Sequence, residues 1–250
     1  MSMQYDALAA IYDRVMSHVG YEDWVELIRR VVARFSAFPN PEILEIGAGT
    51  GVLGSRLVKL GYRYLGSDLS FPMIREAHRK RKLPVCAADG QFLPFKKQFG
   101  MVVFLYDGIN YLGSPQEYAT LFQAVADVLL PGGLFLFDIT TEENSIKHFN
   151  EFIDFEDFGD FSYVRHSYYD EMSSVQHNDF TIYKQSEKHS DLYRKLFDRH
   201  QQKIFSVPAI EKIIPDHLFS VQGIWDGYSL KRYSARSERI HFLLRKNGAS

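Results

Sequence analysis

Three glycines at alternate positions, Gly47, Gly49 and Gly51, follow the apolar run Ile43-Leu44-Glu45-Ile46. Glycine tolerates positive φ and leaves the backbone N–H groups bare, so a loop of this kind can hold a ligand directly against the main chain. Ala48 keeps the loop small, and Glu45 sets a carboxylate just ahead of it. Two further acids stand at the ends of short apolar runs. Asp68 closes Tyr64-Leu65-Gly66-Ser67-Asp68, with Leu69 beyond it, and Asp89 lies in Ala87-Ala88-Asp89-Gly90-Gln91. A carboxylate so placed can accept from both hydroxyls of a ribose, or from the amino N–H of a heterocycle. The structural alternatives are a helix cap at Asp68 and a turn at Asp89.

These residues need strand ends to stand on, and the pattern around them supplies such ends. Residues 3–36 predict two helices, because Leu8, Ile11, Tyr12 and Val15, then Trp24, Leu27, Ile28 and Val31, recur at helical spacing before Pro39 and Pro41. Strands at 42–46, 63–68, 84–87, 100–106 and 133–139 then alternate with helices at 51–60, 71–81 and 115–130. Short apolar strands separated by helices predict an α/β fold, a doubly wound Rossmann-like sheet that binds ligands at the carboxyl ends of its strands. Past residue 150 the pattern changes. Antiparallel strands are expected near 161–170, 175–185 and 192–205, then a helix at 207–214 and strands at 218–226 and 239–246 that complete the main sheet. The expected division is a core of residues 1–150 and 206–250 with a small β insert, 151–205, acting as a lid over the substrate.

The spacing Gly-x-Gly-x-Gly differs from the dinucleotide fingerprint, which needs its third small residue where this chain has Val52. No Gly-Lys-Ser/Thr follows, so a phosphate-cradling P-loop is excluded too. An acid followed by this loop resembles the first motif of the class I S-adenosylmethionine-dependent methyltransferases, and three later segments fall in that family's order. The resemblance implies S-adenosylmethionine as cofactor and S-adenosylhomocysteine as product. It implies that Glu45, Gly47, Ala48, Gly49 and Gly51 form the cofactor loop, that Asp68, with Leu69 beside it, takes the ribose hydroxyls, and that Asp89, Gly90 and Gln91 read the adenine. In Val102 to Leu112, the carbonyls of Leu105 and Tyr106 would take the methionine ammonium and Asp107 to Asn110 would face the transferring methyl. Leu130-Pro131-Gly132-Gly133-Leu134-Phe135 resembles the entry to the family's fifth strand.

The leading segment Tyr5 to Asp13 is similar to that of bacterial small-molecule methyltransferases with a β insert, among them sugar-nucleotide N-methyltransferases and relatives of glycine N-methyltransferase. An aromatic residue there closes over the methionine end of the cofactor. Tyr12 is the first choice and Tyr5 the second; the alternative is a tyrosine of the core.

Methyl transfer from a sulfonium is an in-line displacement that depends chiefly on positioning. A general base would still help an acceptor lose its proton. His200, Tyr106 and Asp107 are the candidates, and Tyr5, Asn110, Tyr111, His166 and His200 are candidate substrate contacts, with His177 behind them. Phe152, Phe155, Phe158 and Phe161 interleave with Asp154, Glu156, Asp157 and Asp160. They read either as a site for a cationic amine or as a small lobe whose aromatics are buried and whose acids face water. No histidine pair has metal-ligand spacing, and metal independence is expected.

The formal charge of -2 over 250 residues offers no broad basic field for a nucleic acid. No Asn/Asp-Pro-Pro-Tyr segment follows the fourth strand, which removes the main sign of adenine or glutamine-amide methylation. A small-molecule acceptor methylated on N or O is therefore expected. The alternatives are an RNA or protein acceptor, favoured by a basic cleft around Arg75, Arg79, Lys80, Arg81 and Lys82, or a cofactor-binding protein without turnover. The single Cys86 in an apolar run reads as a reduced core residue. The longest apolar run, Met101 to Tyr106, is far too short for a membrane span. A cytoplasmic monomer or homodimer is expected.

Overall fold

The computed structural model describes residues 5, 7–96, 98–187 and 191–248. Turns over residues 7–11 lead into a short helix, α1 (Tyr12–Val15), and a longer one, α2 (Tyr21–Phe35). The first expected helix is thus mostly turns. Its leading N–H groups are taken by a carboxylate 190 residues away instead of by a local cap. The helix α2 buries Trp24, Leu27, Ile28 and Val31, the stripe that its spacing predicts.

The core then alternates as β1 (Ile43–Ile46), α3 (Val52–Lys59), β2 (Tyr64–Asp68), α4 (Phe71–Arg81), β3 (Val85–Ala87) and β4 (Phe99–Phe104). A 3-10 turn (Gly108–Tyr111), α5 (Pro115–Val128), β5 (Leu129–Thr140) and α6 (Glu142–Phe149) follow. Four antiparallel strands come next: β6 (Phe152–Asp157), β7 (Phe161–Asp170), β8 (Val175–Gln185) and β9 (Tyr193–Lys203). The chain closes through α7 (Val207–Ile213), β10 (Phe219–Asp226), β11 (Lys231–Arg232) and β12 (Arg239–Lys246).

Eight strands form the main sheet in the order β11-β10-β12-β5-β4-β1-β2-β3. The run from β5 to β3 is parallel, and β12, β10 and β11 pair antiparallel beyond it. Every residue of β1 and β4 is buried, as strands covered on both faces must be. One apolar cluster on each face accounts for this, Phe122, Phe135, Phe137 and Phe242 on one side and Trp24, Leu27, Ile28 and Leu57 on the other. The parallel order places the carboxyl ends of β1, β2, β3 and β4 at one edge of the sheet.

The second sheet runs β6-β7-β8-β9. Its strands alternate, and in β9 the inward residues are Asp198, His200 and Gln202. Phe161, Tyr163, Phe180 and Ile182 from this sheet pack on Leu8, Ala9, Ile11, Tyr12 and Val15. The leading segment is therefore held between the second sheet and the core.

Candidate active site

The first glycine turns the chain at the end of β1. Gly47 has φ +67°, and a Cβ there would lie 2.9 Å from the Phe104 ring, so the loop tolerates no side chain at this point. The N–H of Gly49 donates to Asp68 Oδ2 at 2.7 Å and that of Ser70 to Oδ1 at 2.8 Å. Each oxygen keeps a further lone pair. Burial pushes the Asp68 carboxyl up, and the two N–H donors oppose this. Asp89 Oδ1 accepts the N–H of Gln91 at 2.9 Å.

A cavity of about 440 Å³ opens over these groups. Of the expected cofactor residues, Tyr12, Gly47, Gly49, Asp68, Leu69, Asp89, Gly90, Gln91, Leu105 and Tyr106 line it. Three others stand behind it. Glu45 is buried, accepts from the Tyr64 hydroxyl at 2.5 Å and is pushed up to about 8 by burial. Ala48 shares a small pocket of about 40 Å³ with it. Gly51, at φ +81°, caps α3, where a Cβ would meet Leu83 at 2.7 Å. Sequence reasoning missed Ser70, Met73, Phe104, Leu112 and Leu121 in the wall. Ser70 is legible as the cap of α4, accepting from Met73, but the apolar four carry no signal beyond core spacing.

A second cavity of about 190 Å³ lies between the core, the leading segment and the second sheet. Tyr5, Tyr12, Tyr106 and Tyr111 line both cavities and so form the junction between them. The Tyr5 and Tyr111 hydroxyls are 2.6 Å apart, and Tyr111 Oη is 3.2 Å from His200 Nδ1. His200 is buried, and its Nε2 stands 3.5 Å from Asp198 Oδ1 without a hydrogen-bond partner. Desolvation holds the imidazole below the ordinary histidine range, against the pull of Asp198 and Asp179.

Asp107 also lines the second cavity, at the end of a backbone in which Tyr106 (φ 63°) and Asp107 (φ 49°) are both left-handed. Such conformations cost about 1–3 kcal/mol each and need fixing from outside. The Asp107 N–H donates to Asp138, Arg239 donates to both carboxylates, and Gln202 Nε2 donates to Asp107 Oδ2 at 2.5 Å. Both Asp107 oxygens thus accept from the surrounding scaffold, Oδ1 from Arg239 and Oδ2 from Gln202. Asn110 is fully buried; it donates to the Lys203 carbonyl and accepts from the Thr140 N–H, linking β9 to β5 outside either cavity. His166 and His177 lie on the outer face of the second sheet, His166 3.3 Å from Glu151 and His177 stacked on Tyr168 at 4.4 Å. Neither lines either of these two cavities.

The interleaved residues follow neither expected reading whole: the acids face water or pair with arginines, but only Phe161 of the four aromatics is buried and Phe152 and Phe155 are exposed. Asp160 pairs with Arg14 at 2.7 Å, Glu156 and Asp157 are exposed, and Asp154 is held by Arg165 at 3.2 Å. Arg165, Gln176, Asn178, Gln202 and Arg239, which do line the second cavity, were not legible, because strand alternation alone does not say which face meets a cavity. Among the described residues, no three His, Cys, Asp or Glu side chains are placed to hold a metal ion, and no helix is long and apolar enough to cross a membrane.

Residues 43–133, which span the glycine loop, Asp68, Asp89 and β4, match the family model described as methyltransferase domain. The chain is 27% identical to the Bacillus subtilis (strain 168) protein YqeM, a methyltransferase by provisional name, over 98% of each chain. It resembles an S-adenosylmethionine-dependent methyltransferase from Clostridium acetobutylicum at TM-score 0.79 and 22% identity, over 98% of this chain and 99% of that one. It also resembles the sugar N-methyltransferase KedS8 from Streptoalloteichus at TM-score 0.77 and 20% identity, over 99% and 97%. At such identities the likeness to solved structures is one of fold. The match shows a methyltransferase domain over residues 43–133, and the likeness to the solved structures shows a Rossmann-like fold for the chain.

Proposed function

We propose that this chain transfers a methyl group from S-adenosylmethionine to nitrogen or oxygen of a small-molecule acceptor. The observation that carries the reading is the pair of cavities joined at Tyr5, Tyr12, Tyr106 and Tyr111: one of a size for a nucleoside-like cofactor, the other smaller and polar. The residues present fit the cofactor. Asp68 offers free lone pairs to a ribose at the end of β2, Asp89 accepts just past the end of β3, and Gly47 and Gly49 line the cavity with bare backbone at positive φ. When bound, the cofactor supplies an electrophilic methyl on a good neutral leaving group.

The chain's own part is to align and enclose. The tyrosines of the junction exclude water and hold the acceptor atom in line, which accounts for roughly 7 kcal/mol or more of barrier lowering in well-oriented reactions. The second sheet acts as the acceptor's lid, and its inward Arg165, Gln176, Asn178 and Gln202 give the acceptor polar contacts. A small-molecule acceptor accords with the cavity's size and with the name of KedS8. Against the RNA or protein alternative, three of the five residues of its basic cleft are paired, Arg79 with Glu76 and Lys80 and Arg81 with Asp13. The test is incubation with radiolabelled S-adenosylmethionine and a metabolite extract, followed by mass identification of the labelled product. Label recovered only in protein or RNA, or nowhere, overturns the reading.

A further inference from the structure

Four side chains cluster at the junction with their polar atoms in sequence, the Tyr5 ring also lying 4.3 Å from that of His200. The Tyr5 hydroxyl meets that of Tyr111 at 2.6 Å, Tyr111 Oη meets His200 Nδ1 at 3.2 Å, and His200 Nε2 faces Asp198 at 3.5 Å. They come from the leading segment, the 3-10 turn and β9, so no local sequence pattern joins them. The two ends differ in character. Tyr5 and Tyr111 line both cavities, whereas His200 lines only the acceptor cavity and its Nε2 is buried away from it. Asp198 is fixed by accepting the backbone N–H groups of Tyr5 (2.9 Å), Ala7 (3.1 Å) and Leu8 (3.1 Å).

We propose that Tyr5, Tyr111 and His200 form a proton relay out of the methyl-transfer junction, oriented at its far end by Asp198. This rests on the methyltransferase reading and assigns the exit for the acceptor's proton. The carboxylate of Asp198 favours the tautomer with hydrogen on Nε2, which leaves Nδ1 bare to accept from the Tyr111 O–H. Tyr111 oxygen then accepts from the Tyr5 O–H, and Tyr5 oxygen from the acceptor. As the new acceptor–carbon bond forms and the carbon–sulfur bond breaks, its electron pair stays on sulfur. The acceptor's proton passes to Tyr5 oxygen, the Tyr5 proton to Tyr111 oxygen and the Tyr111 proton to Nδ1. One proton leaves the acceptor, and the imidazolium that results faces Asp198.

The groups around the imidazole suit this role. Asp198 stands beside it on its own strand, Asp179 acts on it from β8, Tyr5 from the leading segment and Tyr111 from the 3-10 turn; Phe180 packs edge-on at 5.8 Å. Burial keeps the ring neutral, ready to accept, at neutral pH. His200 takes the proton through Tyr111, and Asp198 acts through His200 as a positioning residue.

The first arm of the test needs no acceptor. Long-range proton–nitrogen NMR on the full chain, labelled with nitrogen-15 and saturated with S-adenosylhomocysteine, should find His200 in the Nε2–H form, with Tyr111→Phe and Asp198→Asn each weakening that preference. A wild-type Nδ1–H form overturns the relay. The second arm uses the acceptor found by the labelling experiment. His200→Gln and Tyr111→Phe should each lower kcat about 100-fold, the usual worth of a positioned base. His200→Gln should also flatten the acid limb of the pH–rate profile while S-adenosylmethionine binds His200→Gln within twofold of wild type. An unchanged rate and acid limb in a variant that still binds cofactor overturns the relay, whereas failure of the wild type to methylate anything overturns the underlying reading.

Discussion

Asp68 and Glu45 are two acids of one glycine-loop neighbourhood that burial drives in the same direction for different ends. Asp68 keeps lone pairs toward the cavity, so Asp68→Ala should weaken S-adenosylmethionine binding by about 10- to 100-fold, the worth of hydrogen bonds to a charged acceptor. Its folded carboxyl is raised above the ordinary range, so cofactor affinity should be full above that raised value and fall as pH drops through it. Calorimetry across pH should show this decline in wild type and a flat profile in Asp68→Asn. Glu45 serves the fold. Its folded value near 8 exceeds its unfolded value of 4.5, so its contribution to stability is complete below 4.5 and is lost as pH rises through about 8. Thermal unfolding of Glu45→Gln should therefore show a smaller fall in stability between those limits than wild type does. Asp68 and Asp89 were legible in the sequence because acid types recur at strand ends. The sequence could not say which face of a buried strand the Glu45 carboxylate takes, and here it accepts from Tyr64.

At the scale of elements, helices and strands with regular apolar spacing were read to within a few residues, as β7, β8 and α4 illustrate. What was missed is what tertiary contact makes. The helix α6 has a Thr141 cap and acids in its first turn but only one fully buried residue, Ser145, so no apolar stripe announced it. The leading segment lost its helix to Asp198, whose carboxylate satisfies three N–H groups from β9. Asp198→Ala should cost about 2–4 kcal/mol in denaturant unfolding, since three buried donors lose a charged acceptor. Limited proteolysis should then cut within the first ten residues of the variant much faster than in wild type. The 3-10 turn is held in a comparable way, by Asn110 between β5 and β9 and by Arg239 across Asp107 and Asp138. Removing the guanidinium in Arg239→Met would leave two carboxylates uncompensated beneath the junction, at a cost of about 3–5 kcal/mol measurable by thermal or denaturant unfolding.

Across the whole molecule, the two cavities are built from segments more than 100 residues apart, and this is why much of the larger cavity's lining could be named from the sequence and most of the smaller one's could not. The cofactor loop follows strands in chain order, while the acceptor cavity appears only once β7, β8 and β9 fold back over the leading segment. That segment has two fastenings. Asp13 accepts from Thr50 at 2.5 Å, Lys80 at 3.0 Å and Arg81 at 2.9 Å on the core, and Asp198 holds its other end to the second sheet. With Tyr5 and Tyr12 spanning both cavities between these fastenings, the segment forms a wall common to the two. A ligand in the larger cavity packs against this shared wall and is expected to stiffen it before the acceptor arrives. Turnover should accordingly follow a compulsory order, cofactor first in and its demethylated product last out. Initial-rate inhibition patterns would report this directly: S-adenosylhomocysteine should compete with S-adenosylmethionine alone, and hydrogen exchange at Ala7 and Leu8 should slow on cofactor binding before any acceptor is added.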